Sequence, residues 1–289
     1  MGEVYSARDT RLDRTVAIKV LVASTDDDSR IRFEQEARAI AALDHPHICA
    51  VFDVGRHDGM HDIVMQHLDG ETLAARLVRA KGPLSLDEVL SIGIAIADAL
   101  DKTHRAGLTH RDIKPANIML TRTGPKLLDF GLAKLRALEG SGIADAARFE
   151  TRAPSTAQGV IVGTVHYMAP EQIERQAVGA SVDIWAFGVV LYEMVTGHRP
   201  FEGESPASVI GAVLKDRPPL ISTRNPVVPR MLDIVVDRCL EKDPDERWQS
   251  IGDVKHQLAS LAVLSTVNSE VPRASVGRWP RLKIGRAHV

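Results

Sequence analysis

Cysteine is nearly absent: Cys49 and Cys239 are the only two in 289 residues, in unrelated contexts and with no CxxC pair. That excludes a disulfide framework and gives no sign of an oxidising compartment, so both thiols read as small packing residues. No apolar run approaches the roughly 18 to 20 residues needed to cross a bilayer, and the first residues lack a basic stretch followed by an apolar one. The chain is therefore expected to carry no membrane segment and to be cytoplasmic. Met1-Gly2-Glu3-Val4-Tyr5-Ser6 fits the loose myristoylation pattern, but its alternation reads better as a strand. An excess of one charge is missing too, since the net charge is −2, which gives no electrostatic case for nucleic acid as a partner. No Gly-Lys dipeptide occurs, so a phosphate loop of the Walker type is excluded.

What is present is enough apolar material, 44% of residues, to bury a sizeable core as one large domain or two lobes. The stretch His110-Arg111-Asp112-Ile113-Lys114-Pro115-Ala116-Asn117-Ile118-Met119-Leu120 sets a carboxylate, an ammonium and an amide in a tight polar loop before an apolar strand. Asp129-Phe130-Gly131 follows at the end of a second apolar run, Lys126-Leu127-Leu128. Two carboxylates and an amide converging from adjacent strand ends suit a hard divalent cation, with magnesium favoured where phosphates complete the shell. The chemistry suggested is phosphoryl transfer.

Together, HRDIKPAN and DFG resemble the catalytic loop and metal loop of protein kinases, and two separate motifs in the right order make the match specific. The resemblance covers Gly2 to about Val263. It implies an α+β, bilobal fold: a small antiparallel β lobe with one regulatory helix over 1–68, and a larger, mainly α lobe over 69–263. It implies transfer of the γ-phosphoryl group of ATP, with Mg2+, to Ser or Thr hydroxyls of protein substrates. Asp112 is expected to orient the substrate hydroxyl, since an ordinary aspartate is a weak base. Lys114 and Lys19 are expected to neutralise phosphate charge, and Asn117 and Asp129 to hold the metal. Thr164, in Gly163-Thr164-Val165, and Lys114 point to the serine/threonine class.

Around the nucleotide the resemblance places Gly2, Val4, Ala17, Lys19, Glu36, Met65, Gln66, Leu68 and Asp69. Gly2 matches the last glycine of the phosphate-covering loop and Lys19 the lysine of VAIK. Glu36 matches its carboxylate partner, although register alone leaves Glu34 open. Met65 would screen the back of the adenine pocket, and Gln66-His67-Leu68 would link the lobes through backbone groups. A first strand and two glycines of the family pattern are missing, so the strand Gly2–Arg8 is expected to present an unpaired edge. That feature favours the alternative of a pseudokinase or scaffold. A small-molecule phosphotransferase is disfavoured by the matches at Glu171, Asp183 and Arg247.

The segment from Asp129 to Glu171 is long and polar in its middle, and it resembles an activation segment closing at Ala169-Pro170-Glu171. Autophosphorylation at Thr156, Ser155 or Thr151 would give Arg111 an anionic partner and order the loop. Asp183 is expected to bond catalytic-loop amides, and Arg247 to pair with Glu171. Helices are expected over Ser29–Leu43, from Ser85 to about Ala106 with Gly107 as a left-handed cap, from Ser181 to Gly197, and at Pro206–Lys215, Pro229–Leu240 and Ser250–Val263. Strands are expected at Thr15–Leu21, Ile48–Val54 and Asp62–Gln66. The tail 264–289 reads as disordered. Its last six residues back-translate to a run resembling a sequencing adapter, so an assembly artefact is expected there. Similar bacterial kinases often continue into a membrane helix and an outer sensor domain, so a membrane-anchored parent fits as well.

Overall fold

The computed structural model describes residues 3–21, 35–57, 60–130 and 165–270. Gly2, Thr151, Ser155, Thr156 and Thr164 lie outside the described residues, as does most of the segment assigned to activation.

The small lobe is a four-stranded antiparallel sheet of β1 (Glu3–Asp9), β2 (Arg14–Leu21), β3 (Val51–His57) and β4 (Met60–Gln66), in the order β1-β2-β4-β3. Asp9 closes the first turn by accepting from the amides of Arg11 and Leu12 at 3.1 and 3.2 Å, the local bonding that suits aspartate to turns. Among the described residues β1 is an edge strand, with Val4 and Tyr5 exposed. Strands β3 and β4 run closer to their turn than expected, pairing Gly55 with Asp62 and His57 with Met60. A Cβ at Gly55 would meet only the end of the Asp62 side chain, 2.7 Å from a carboxylate oxygen that can rotate away. Helix α1, described over 35–41, buries Ala37 and Ile40 against Ile63 of β4.

The large lobe opens with β5 (Gly70–Thr72), α2 (Leu73–Ala80) and α3 (Leu86–Arg105). Ser85 caps α3 by accepting from the Glu88 amide at 3.3 Å, and Gly107 follows the helix with φ 74°. The Glu88 carboxylate does not return to the cap, because it takes Arg76 in a two-pronged bond at 2.9 and 3.0 Å. A single 3-10 turn, Pro115–Asn117, leads into β6 (Ile118–Thr121) and β7 (Gly124–Leu127), which complete a small sheet in the order β5-β6-β7. An isolated parallel bridge from Ile48 to Leu127 ties the loop after α1 to β7.

The helices α4 (Pro170–Ile173), α5 (Ser181–Thr196), α6 (Pro206–Lys215), α7 (Ile221–Arg224), α8 (Arg230–Cys239) and α9 (Ile251–Glu270) complete the lobe. α5 is buried along almost its whole length, as its apolar sequence demands, and ends on the left-handed Gly197. Gly188 lets α8 approach closely, since a Cβ there would lie 2.5 Å from that of Cys239. One boundary needs correction: α9 runs to Glu270, past the expected end at 263. Residues 264–270 contain neither glycine nor proline, and extending an existing helix costs far less than starting one.

Candidate active site

The site forms where β6 and β7 bring two loops together beneath the small sheet. Its frame is Asp183, fully buried near the start of α5. One carboxylate oxygen accepts from the Arg111 amide at 2.7 Å; the other accepts from the His110 amide at 2.8 Å and lies 2.9 Å from His104 Nε2. A buried carboxylate with these partners is well satisfied, and charge-assisted bonds of this kind are the strong ones. They hold Arg111 with a left-handed φ of 63°, a conformation that surrounding structure must enforce in a non-glycine residue.

His110 joins the two loops. Its Nδ1 accepts from the Asp112 amide at 3.3 Å, so Nε2 carries the proton and donates to the Leu128 carbonyl at 2.8 Å. Burial disfavours the charged imidazolium and pushes the pKa of His110 down. Its ring lies 4.7 Å from that of Phe130. The Leu128 amide in turn donates to the Asn117 carbonyl at 2.8 Å. Asp129 is therefore gripped from both sides, at Leu128 and at Phe130, and is itself left-handed with φ 49°.

Between these supports the polar heads gather. Asp112 Oδ2 accepts from Lys114 Nζ at 2.8 Å and from Asn117 Nδ2 at 2.9 Å, and Asn117 Nδ2 also donates to the Asp112 carbonyl at 2.8 Å. Both Asn117 bonds use amide hydrogens, which leaves its oxygen as the atom suited to a cation. Lys19 Nζ lies 2.8 Å from Asp129 Oδ1. Among the described residues no group of three or more His, Cys, Asp or Glu could hold a metal by itself. The donor set at hand, one carboxylate and one amide oxygen, fits Mg2+ that keeps further positions for phosphate and water.

The residues matched to the nucleotide are related by strand register. Val4 faces Lys19 across β1 and β2, and Ala17 faces Met65 across β2 and β4. Directly opposed and alternate residues share a face, so Val4, Ala17, Lys19 and Met65 line one side of the sheet. Gln66 pairs through its amide with the Ala50 carbonyl at 2.9 Å; Leu68 is half-buried and Asp69 exposed. Glu36 sits half-buried on α1, while the ion pair seen at Lys19 runs to Asp129. Arg111 is half-buried, with an Nε that finds no hydrogen-bond partner among the described residues.

Below the site, Arg247 and Glu171 form the expected pair, both buried, at 2.6 and 2.8 Å. Sequence reasoning overlooked His104 and gave no role to His110. Neither stands out in composition or periodicity; His110 has only its place two residues before Asp112 as a signal. A groove of about 600 Å3 between α3, α9 and the β6–β7 turn, lined by His47, Asp98 and Lys255 among others, contains none of these groups; chemistry rather than volume marks the site.

A small antiparallel sheet over a mainly helical lobe, with two polar loops meeting at their junction, is the protein kinase fold. The chain belongs to the protein kinase domain family, whose model matches residues 1–258. It is 39% identical over 262 residues to a probable serine/threonine-protein kinase of Streptomyces coelicolor, covering 88% of this chain and 37% of that protein. It is 36% identical over 281 residues to the serine/threonine-protein kinase PknB of Mycobacterium tuberculosis, covering 95% of this chain and 42% of that one. The chain thus spans about two fifths of the length of these relatives. The crystal structure of the Mycobacterium tuberculosis PknI kinase domain superposes with a TM-score of 0.68 at 30% identity, covering 90% of this chain and 91% of that one.

Proposed function

We propose that this chain is a serine/threonine protein kinase domain that transfers the γ-phosphoryl group of ATP to hydroxyls of protein substrates. The observation that carries the reading is the Asp112 carboxylate, held by Lys114 at 2.8 Å and Asn117 at 2.9 Å beside the Lys19–Asp129 pair. In the reaction a bond forms between the substrate oxygen and the γ-phosphorus while the bond from that phosphorus to the β,γ-bridging oxygen breaks and ADP leaves. Asp112 orients the hydroxyl and takes its proton late. Lys114, already fixed on Asp112, lies where it can neutralise charge on the transferring group. Lys19 exchanges Asp129 for the nucleotide's phosphates and for Glu36, and Arg111 meets a phosphorylated residue of the activation segment. Asn117 and Asp129 would hold Mg2+, which supplies charge neutralisation at the phosphates. Positioning and electrostatics are most of the protein's contribution.

Incubation with labelled ATP and a generic protein substrate, followed by phosphoamino-acid analysis, tests this. The wild type should yield phosphoserine or phosphothreonine, and Asp112→Asn should lower the rate by about 10²–10⁴-fold with nucleotide binding retained. Undiminished transfer by the variant removes Asp112 from its role, and binding without transfer by the wild type assigns a scaffold.

A further inference from the structure

The turn between α1 and β3 ties the small lobe to the large one. The Leu127 amide donates to the His47 carbonyl at 2.8 Å, and the Cys49 amide to the Leu127 carbonyl at 2.9 Å. Lys126 Nζ, on β7, donates to the Pro46 carbonyl at 2.7 Å, and His47 Nδ1 to the Pro125 carbonyl at 2.9 Å. His45 closes the turn. Its Nδ1 accepts from the His47 amide at 3.2 Å, so Nε2 carries the proton and donates to Asp98 of α3 at 3.0 Å. Asp98 in turn accepts from Lys255 of α9 at 3.0 Å, and that bond is the first cause holding its carboxyl below the ordinary range.

The neutral imidazole is the form this wiring needs. A proton on Nδ1 removes the acceptor of the His47 amide and sets two N–H groups against each other. His47 differs, because its Nδ1 already carries the proton given to Pro125, and a second proton on Nε2 leaves that bond intact. Among the described residues, the charged and titratable groups that act on His45 are Asp98, which favours the imidazolium, and Lys102 of α3 and His47, which oppose it. Lys255 reaches it through Asp98, and Lys126 of β7 binds the backbone of the same turn. Burial outweighs Asp98 and pushes the pKa of His45 down. The closed turn is therefore stable above the ordinary pKa of 6.5 and is lost as pH falls below it.

We propose that His45 is an acid-sensitive lock: when protonated it frees the turn that joins α1 to the large lobe, and ATP binding between the lobes weakens. α1 carries Glu36, which in the function proposed above, on which this rests, meets Lys19 at the nucleotide's phosphates. One proton is taken up, so the affinity falls by at most about tenfold per pH unit.

The test is titration with ATP and Mg2+ at a series of pH values, with the His47 amide followed by 1H–15N NMR. The ratio of the wild-type dissociation constant to that of His45→Gln, in which the ionisation of ATP itself cancels, should rise as pH falls, and the wild-type His47 amide resonance should move along the same one-proton curve. Lys102→Gln removes a cation beside His45 and should move the curve to higher pH; Asp98→Asn removes the anion and should move it to lower pH. His110 is wired in the same way, but its charged neighbours are Asp183, Asp112 and Asp129, so these two variants tell the histidines apart. A flat ratio, a His47 amide that does not titrate, or a curve that neither variant moves overturns the proposal. ATP binding in this pattern without phosphoryl transfer supports the lock and overturns only the assignment as a kinase; no ATP binding at neutral pH overturns both.

Discussion

Replacing Arg247 by methionine is expected to be the most damaging single change outside the site, and the structure gives its size. The guanidinium has five N–H groups, and five hydrogen bonds use them: Nε to the Glu241 carbonyl, Nη1 to Glu171 and the Ser181 carbonyl, Nη2 to Glu171 and the Lys242 carbonyl, at 2.6 to 3.2 Å. Arg247 is 0% exposed and Glu171 2%. Methionine fills much of the volume but leaves a buried carboxylate and three carbonyls without their donor. Breaking a buried pair from one side costs about 3–5 kcal/mol, a large share of the roughly 5–15 kcal/mol that holds a domain folded. At about 2–4 °C per kcal/mol for a chain of this size, Tm should fall by about 6–20 °C. Glu171→Met should cost a similar amount, and the double variant should recover about 1–3 kcal/mol relative to the sum, because no charge is then stranded. Calorimetry and urea unfolding of the four proteins measure this cycle. A shift below about 2 °C for Arg247→Met, or additivity to within about 0.5 kcal/mol, would refute the reasoning.

Asp183→Asn should slow phosphoryl transfer at least about tenfold with little change in nucleotide affinity, because one acceptor of catalytic-loop amides becomes a donor; steady-state kinetics separate the two, and an unchanged kcat refutes it. His110 and His45 both have lowered pKa values, burial being the first cause in each. The unfolded chain therefore binds more protons near the ordinary pKa of 6.5, and the stability present above that pH is lost as pH falls, by up to about 1.4 kcal/mol per pH unit for each imidazole. His110→Gln should flatten the slope of Tm against pH between about 7 and 5; an unchanged slope counts against a neutral, buried His110. Gly188→Ala should destabilise by about 1–3 kcal/mol, read as a fall in urea midpoint; a neutral result would show that α5 and α8 can part at no cost.

The two loops were legible because their chemistry is local. A carboxylate, an ammonium and an amide within six residues, followed by an apolar strand, can be read from 110–120 alone, and most helices followed their apolar spacing. The ends of elements were less legible. Residues 264–270 look like a tail by composition, yet nothing in them stops a helix already formed, and the register that pairs Gly55 with Asp62 is set only where the two strands meet in the sheet.

Sequence by itself determined which residues carry charge into the site and that a kinase-like chain was at hand, since residue type and short-range order are all that such motifs need. Only the tertiary structure decided what those residues touch. Asp183 reaches back more than seventy residues to clamp the Arg111 and His110 amides, His110 binds one loop to the other, and Lys19 rests on Asp129. Contacts between groups so far apart along the chain depend on packing, burial and the geometry of hydrogen bonds, and these exist only once the backbone has folded.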